Sequence, residues 1–175
     1  RPPRSTPFPY TTLFRSAAAV AAVHERHMRV ALGQARDAAS EGEVPVGAVI
    51  VRDGHLVAKA RNQVEMLKDP TAHAEILAIT QAASAVGDWR LADCTLYVTK
   101  EPCVMCAGAI ILARIPLVVW GMTDPLRGGA VSLFQVLQQA DLNHRCAHVA
   151  GILEPECREV MQSFFRTLRA APPRT

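Results

Sequence analysis

The sequence lacks a long apolar segment and a convincing secretory signal. Residues 17–175 also lack an excess of charge of either sign. No apolar run approaches the roughly 18 residues that a membrane-spanning helix needs, so we expect no membrane partner. The run from Ala17 to Val23 is short and leads into charged residues, which favours the start of a helix over a signal peptide. These absences predict a cytoplasmic protein.

The net charge of +3 arises entirely in residues 1–16, which contain three arginines and no acidic residue. The rest of the chain has 16 basic and 16 acidic residues, so its charges balance. The overall charge is therefore no evidence for nucleic-acid binding, and any such surface must be a local patch. The sequence also contains no internal repeat.

Residues 1–16 differ from the remainder, because they contain four prolines and no periodic apolar pattern. Residues 7–16 resemble a translated sequencing-library adapter, and we interpret residues 1–16 as a non-native scar. A native disordered extension is the alternative. We therefore predict one domain over residues 17–170, large enough to bury a core, and a short tail over residues 171–175.

The cysteine pattern argues against a disulfide framework. Five cysteines are an odd number, and two of them have the Cys-x-x-Cys spacing of metal sites, which favours a reducing compartment. The other three, Cys94, Cys146 and Cys157, lie in apolar surroundings and are predicted to be small buried residues.

Apolar periodicity predicts alternating helices and strands. The predicted helices cover residues 18–40, 69–87, 103–113, 132–138 and 154–168, and the predicted strands cover residues 46–51, 56–60, 94–99, 117–120 and 148–152. The polar segment 61–68 is predicted to be a loop, and Asp69-Pro70-Thr71 to open the helix that follows it. Asp53-Gly54 favours an antiparallel hairpin, and the helix after the third strand allows a parallel pair. This order is typical of an α/β domain whose sheet is covered by helices.

Two short motifs carry the chemistry. Thr71-Ala72-His73-Ala74-Glu75 supplies a histidine and a carboxylate, and Pro102-Cys103-Val104-Met105-Cys106 supplies two cysteines. One histidine and two cysteines are the ligand set of a catalytic zinc that keeps a fourth position for water, whereas structural sites usually have four protein ligands. Glu75 would remain free to exchange protons.

The spacing of these residues constrains where a metal could lie. His73 and Glu75 can converge only if the metal lies beyond the start of their helix, and Cys103 and Cys106 share one helical face. Both helix N-termini would direct free N–H groups and positive dipole ends at the site, which favours thiolates. Each motif alone is weak evidence, since Cys-x-x-Cys also occurs in redox centres and zinc ribbons. Together they predict a catalytic zinc.

The other histidines and three nearby glutamates are interpreted as residues without a catalytic or metal-binding role. The other five histidines have no ligand partners at a useful spacing and are interpreted as surface or packing residues. Glu25, Glu41 and Glu43 are interpreted as residues of a solvent-exposed helix face and turn.

From about His24 to Arg169 the chain resembles the bacterial tRNA-specific adenosine deaminases. The resemblance rests on both metal motifs and on further matching segments, which are residues 43–49 (EVPVGAV), 96–114, 143–145 (NHR), 151–153 (GIL) and 164–166 (FFR). It implies a three-layer αβα sandwich like that of cytidine deaminase, with a mixed five-stranded sheet, and a homodimer. It also implies one zinc ion per subunit on His73, Cys103 and Cys106, with Glu75 as the proton shuttle.

The implied reaction is zinc-dependent hydrolysis of adenosine to inosine at the wobble position of a tRNA anticodon stem-loop. The substrate-binding residues that the resemblance implies are Asn62, Val44, Pro45, Asp124, Arg127 and Asn143. The chain departs from the family pattern at two positions. Leu126 replaces a lysine of some relatives, which would leave a phosphate contact to Arg127, and Lys100 replaces a common leucine.

Two other functions fit the same motifs. A free-base or nucleoside deaminase, for guanine or cytosine, could use the same scaffold, but guanine deaminases tend to have proline after the first cysteine, where this chain has Val104. A non-catalytic, zinc-stabilised RNA-binding module is the third hypothesis. Glu75 argues against it, because a purely structural site has no need of a proton shuttle.

Overall fold

The structure is a computed structural model that describes residues 17–170. The proposed scar at residues 1–16 and the tail at residues 171–175 lie outside the described residues. The helices are α1 (Ala17–Ser40), α2 (Val64–Leu67), α3 (Ala74–Val86), α4 (Val104–Leu112) and α5 (Glu154–Ala170). The strands are β1 (Gly47–Arg52), β2 (His55–Arg61), β3 (Cys94–Lys100), β4 (Leu117–Met122) and β5 (Ala147–Val149). Among these described helices, none has the length and apolar character required to cross a membrane.

The strands form one mixed sheet in the order β2-β1-β3-β4-β5. The hairpin at Asp53-Gly54 makes β1 and β2 antiparallel, and β1 is also antiparallel to β3. Helix α4 connects β3 to β4, and these two strands are parallel, as are β4 and β5. The predicted five-stranded mixed sheet is confirmed.

Alternate residues of β1 enter two separate cores, which defines three layers. Ala48 and Ile50 pack in a core with buried residues of α3 and α4. Val49 and Val51 pack in a second core with buried residues of α1 and α5. The continuous apolar run of β1 is therefore buried on both faces, and the predicted αβα sandwich is confirmed. Cys94, Cys146 and Cys157 are buried in these cores, as predicted.

Helix α1 packs on the sheet through a face that includes the buried residues Met28 and Leu32. Apolar residues at three- and four-residue steps predict Val20 and Val30 on the packed face and omit Met28 and Leu32, but Val20 and Val30 are exposed. The helix approaches β1 closely at Gly47, where an added Cβ atom would lie 2.0 Å from the carbonyl oxygen of Ala31. The absence of a side chain at Gly47 permits this approach.

The prediction for residues 61–73 was wrong in two respects. Residues 64–67 form the short helix α2 rather than a loop, and α3 begins at Ala74 rather than at Asp69. The Asp69 carboxylate accepts hydrogen bonds from the backbone N–H (2.8 Å) and hydroxyl (2.7 Å) of Thr71, which stabilises a turn in place of a helix start. Of the helix predicted near residues 132–138, only a 3-10 turn at Val136–Gln138 forms.

Candidate active site

The two metal motifs occupy equivalent positions in the fold. His73 is the residue immediately before α3, and Cys103 is the residue immediately before α4; both have extended backbones (ψ 151° and 175°). Neither side chain caps its own helix. The imidazole and the first thiol are therefore available for another partner, at the positive ends of two helix dipoles.

The three predicted ligands converge although they come from different elements. The Nδ1 atom of His73 lies 3.7 Å from the Sγ atom of Cys103 and 3.5 Å from the Sγ atom of Cys106. All three ligand atoms lie within 4.8 Å of one another, so this group could hold a metal ion. Cys106 is fully buried, whereas His73 and Cys103 are partly accessible, which leaves an approach to the site from one side.

Glu75 faces inward beside this group. It is only 4% exposed, and its carboxyl lies near the Cys106 thiol. Burial raises the pKa of Glu75 above its ordinary value. A carboxyl group whose pKa is raised toward neutrality is suited to accept and return a proton.

Contacts among the three predicted ligands shift their pKa values in different directions. Hydrogen bonds from the Cys106 thiol and from His73 lower the pKa of Cys103 to about 3. The pKa of Cys106 is raised, mainly by its hydrogen bond with Cys103 and secondly by burial. The hydrogen bond between His73 and Cys103 raises the pKa of His73. Binding of a cation to both sulfurs would therefore release a proton from Cys106.

Glu101 is a second buried carboxylate, to which sequence analysis assigned no role. Its Oε1 atom accepts the backbone N–H groups of Val131 (3.0 Å) and Ser132 (2.9 Å). Its Oε2 atom accepts the backbone N–H of Asp124 (3.0 Å) and the hydroxyl of Ser132 (2.6 Å). Burial opposes ionisation of Glu101, but these hydrogen bonds prevail and lower its pKa. Glu101 thus holds the segment 124–132, which we call the site loop.

The site loop packs directly on the start of α4. Gly128 forms a β-bridge with Cys103, and the backbone N–H of Gly129 donates to the carbonyl of Pro102 at 2.8 Å. A Cβ atom on Gly129 would lie 2.2 Å from the backbone nitrogen of Val104, so only glycine permits this approach. The pair Gly128-Gly129 was the available sequence signal for this close packing.

Asp124 and Arg127, both predicted to contact substrate, lie on the site loop. The Asp124 carboxylate forms a salt bridge with Lys100 and accepts the backbone N–H groups of Leu126 (3.1 Å) and Arg127 (3.2 Å). Asp124 therefore shapes the loop, and its ion pair with Lys100 adds to that role. The side chains of Leu126 and Arg127 are exposed.

Asn62 lies beside the histidine segment of the metal motif. The backbone N–H of Asn62 donates to Val46, and that of Gln63 donates to Ala72, the residue before His73, both at 3.0 Å. Asn62 and Pro45 are buried, whereas Val44 is exposed. The structure thus brings Asn62 close to the histidine segment, and Val44 and Pro45 lie just before Val46, which is the backbone partner of Asn62.

The interpretation of Glu43 from sequence was wrong. It was interpreted as a solvent-exposed turn residue, but it is 1% exposed, and its carboxylate binds the side chain of Asn62. It lies in the short polar turn between α1 and the segment that leads into β1, where surface residues are common, so the sequence carried little signal for this role.

Asn143 is not brought to the metal motif. It is exposed, and its Oδ1 atom accepts a hydrogen bond from Arg114 at 2.6 Å, beyond the C-terminal end of α4. Cys103 precedes α4, so the two ends are separated by on the order of 15 Å along the helix axis. Any contact of Asn143 with substrate would involve a part of the substrate distant from the reacting base.

Comparisons with known proteins identify the family of the chain. The family model for MafB19-like deaminases matches residues 22–169. A tRNA-specific adenosine deaminase of Aquifex aeolicus is 48% identical over 145 residues, which are 83% of this chain and 95% of that protein. This chain belongs to the tRNA-specific adenosine deaminase family.

Solved structures of deaminases share the fold. A tRNA deaminase studied for A-to-I editing at the wobble position is 42% identical, with a TM-score of 0.75, and covers 77% of this chain and 98% of its own. A guanine deaminase of Bacillus subtilis is 30% identical, with a TM-score of 0.56, and covers 87% of this chain and 97% of its own. Both sequence identity and structural agreement are higher for the member of the adenosine deaminase family.

Proposed function

We propose that this protein catalyses the hydrolytic deamination of adenosine to inosine at the wobble position of tRNA. The observation that carries the proposal is the buried Glu75 beside a convergent His73, Cys103 and Cys106 group, in a chain of this family. A structural metal site would not require a buried carboxyl group that remains outside the ligand set.

We infer that the metal is zinc, one ion per subunit, held by His73, Cys103 and Cys106. Zinc–sulfur and zinc–nitrogen bonds of about 2.3 Å and 2.0 Å at tetrahedral angles require N···S separations of about 3.5 Å. The observed separations of 3.5 and 3.7 Å fit this geometry, and the nitrogen and sulfur donors suit zinc. When bound, zinc would supply an activated water molecule near neutral pH.

The residues of the chain supply the proton transfers and the orientation. Glu75 accepts a proton from the attacking water at its carboxylate and returns it to the leaving amino group, so the C6–N bond of adenine breaks and ammonia departs. Asn62 orients the base by hydrogen bonding, and Val44 and Pro45 form part of the pocket wall. The burial that raises the pKa of Glu75 also keeps bulk water away from these transfers.

An anticodon loop suits this site, because its bases are already partly unstacked and can enter a pocket at low cost. The exposed Arg127 on the site loop would contact a backbone phosphate, while Asp124 maintains the shape of that loop. Asn143 would contact the loop or stem farther from the base.

We also infer a cytoplasmic homodimer. Val104 and Leu112 on α4, and Leu133 and Phe134 after the site loop, are apolar side chains that are at least half exposed. A second copy of the chain would cover such a surface. All five cysteines are free, which agrees with a reducing compartment.

The decisive assay uses the purified protein and an anticodon stem-loop with adenosine at the wobble position. We expect inosine at that position and no product when the adenosine lies in the stem. Free guanine and cytosine serve as competing substrates. Turnover of either base without inosine in the stem-loop would establish the free-base alternative, and zinc binding without any turnover would favour the RNA-binding module.

A further inference from the structure

Among the described residues, Glu43 is the most buried carboxylate. Its hydrogen-bond partners are Asn62, Glu65 and Met66, and none of them is a predicted metal ligand. Its Oε2 atom accepts the side-chain N–H of Asn62 at 3.0 Å and the backbone N–H of Glu65 at 3.2 Å. Its Oε1 atom accepts the backbone N–H of Met66 at 2.7 Å. All three partners are donors, so Glu43 acts only as an acceptor.

An acceptor at this place determines which way the Asn62 amide faces. An asparagine side chain has a donor end and an acceptor end of nearly equal size, and its hydrogen-bond partners decide between the two orientations. Glu43 can be satisfied only by the –NH₂ end. The Oδ1 end and the second N–H of Asn62 must therefore face away from Glu43.

The free edge of the Asn62 amide is accessible. Among the described residues, every fully buried side-chain nitrogen or oxygen has a hydrogen-bond partner. The Oδ1 atom of Asn62 accepts no hydrogen bond from the described residues, whereas its –NH₂ group donates to Glu43. This oxygen is consequently not sealed in the core. The backbone hydrogen bond from Gln63 to Ala72 joins the residue after Asn62 to the residue before His73, so Asn62 lies close to the His73 segment in the fold.

We propose that Glu43 is a positioning residue that fixes the orientation of the Asn62 amide, and so decides which donor and acceptor atoms the nucleotide meets. The inference rests on the proposed function, because it needs a nucleotide substrate that Asn62 contacts. Glu43 itself does not touch the substrate. Its substitution should therefore act only through Asn62.

A competing explanation is that Glu43 only anchors α2. Two of its three bonds are to backbone N–H groups of that helix, so a purely structural role would also make it sensitive to substitution. The two explanations differ in one measurable way. An anchoring effect would persist when the Asn62 side chain is removed, whereas a positioning effect would disappear.

The test is a double-mutant cycle with Glu43→Gln and Asn62→Ala, assayed for kcat and KM on the stem-loop. Glutamine matches glutamate in shape, and with its carbonyl oxygen at the Oε1 position, where it still accepts the N–H of Met66, its –NH₂ group faces Asn62, so the Asn62 amide can turn round. In the opposite orientation Asn62 keeps its acceptor and Met66 loses its own, which is an anchoring effect that would persist in the Asn62→Ala background. We expect Glu43→Gln to lower kcat/KM about tenfold to a hundredfold in the wild-type background, the effect of one misdirected buried hydrogen bond. In the Asn62→Ala background the same change should lower it less than about threefold.

Glu41→Gln is the matched control. Glu41 lies two residues away, is exposed, and pairs with Arg61 at the end of β2. We expect it to change kcat/KM less than about twofold. Thermal unfolding of each variant separates loss of folding from loss of activity.

If Glu43→Gln does not fold, Asn62→Asp provides a second test, because aspartate keeps the shape and an acceptor but has no N–H for Glu43. It should lose at least as much activity as Asn62→Ala. The inference would be overturned if Glu43→Gln lowered kcat/KM by the same factor in the Asn62→Ala background as in the wild-type background. Near wild-type turnover by Asn62→Asp would also overturn it. Failure of the wild-type protein itself to form inosine would instead refute the proposed function.

Discussion

Glu101→Gln should destabilise the protein although glutamate and glutamine have the same shape. Glutamine can keep its carbonyl oxygen at the Oε1 position, where it still accepts the N–H groups of Val131 and Ser132. Its –NH₂ group then replaces Oε2. The Ser132 hydroxyl can rotate and accept a hydrogen bond from it, but the backbone N–H of Asp124 cannot, and is left without an acceptor.

The expected cost follows from that single orphaned donor. A buried unsatisfied N–H costs about 1–3 kcal/mol, and the loss of a charged acceptor adds to it, so we expect about 2–3 kcal/mol for Glu101→Gln. Glu101→Ala would orphan three backbone N–H groups and should cost more, up to several kcal/mol. Either value is a large part of the roughly 5–15 kcal/mol by which domains are stable.

Urea unfolding at constant zinc concentration measures these differences. The control is Glu159→Gln, because Glu159 pairs with Arg166 at an exposed position and should change stability by less than about 0.5 kcal/mol. Hydrogen exchange should also show faster exchange of the Asp124 amide in Glu101→Gln. Unchanged stability together with unchanged exchange would refute the role of Glu101 in holding the site loop.

Three further predictions concern the metal, the site loop and assembly. Chelation should abolish deamination and lower the thermal midpoint, and added Zn²⁺, but not Mg²⁺, should restore both. Although burial opposes ionisation, the salt bridge with Lys100 and backbone hydrogen bonds lower the pKa of Asp124. Its stabilising contribution should be present above about pH 4 and be lost as the pH falls through the folded-state pKa, so Asp124→Asn should show a weaker acid dependence of its unfolding midpoint. Leu112→Glu should shift the mass measured by light scattering from dimer to monomer; an unchanged mass would exclude α4 from the interface.

The parts of the fold that sequence analysis predicted correctly depend on local signals. The apolar run of β1 and the Asp53-Gly54 turn are short segments, and each of the two motifs spans only a few residues. The strand and helix order follows from such signals, and it already implies that the two motifs come together at adjacent helix starts. These features could be predicted because short segments of sequence determine them.

The features that were missed depend on partners far along the chain. Glu43 and Glu101 have the local surroundings of surface residues, but their carboxylates bind backbone groups about 20 to 30 residues away. The packed face of α1 depends on its contact with Gly47, and the start of α3 depends on a turn that competes with the helix. No local pattern encodes such pairings.

The central claim is that a buried carboxyl group beside a three-ligand metal site performs deamination. Its most direct test compares the wild-type protein with Glu75→Gln, measuring bound zinc and inosine formation in the same preparations. We predict about one zinc per subunit in both proteins and a loss of at least about a hundredfold in the rate for Glu75→Gln. Inosine formation at the wild-type rate by zinc-loaded Glu75→Gln would contradict the account.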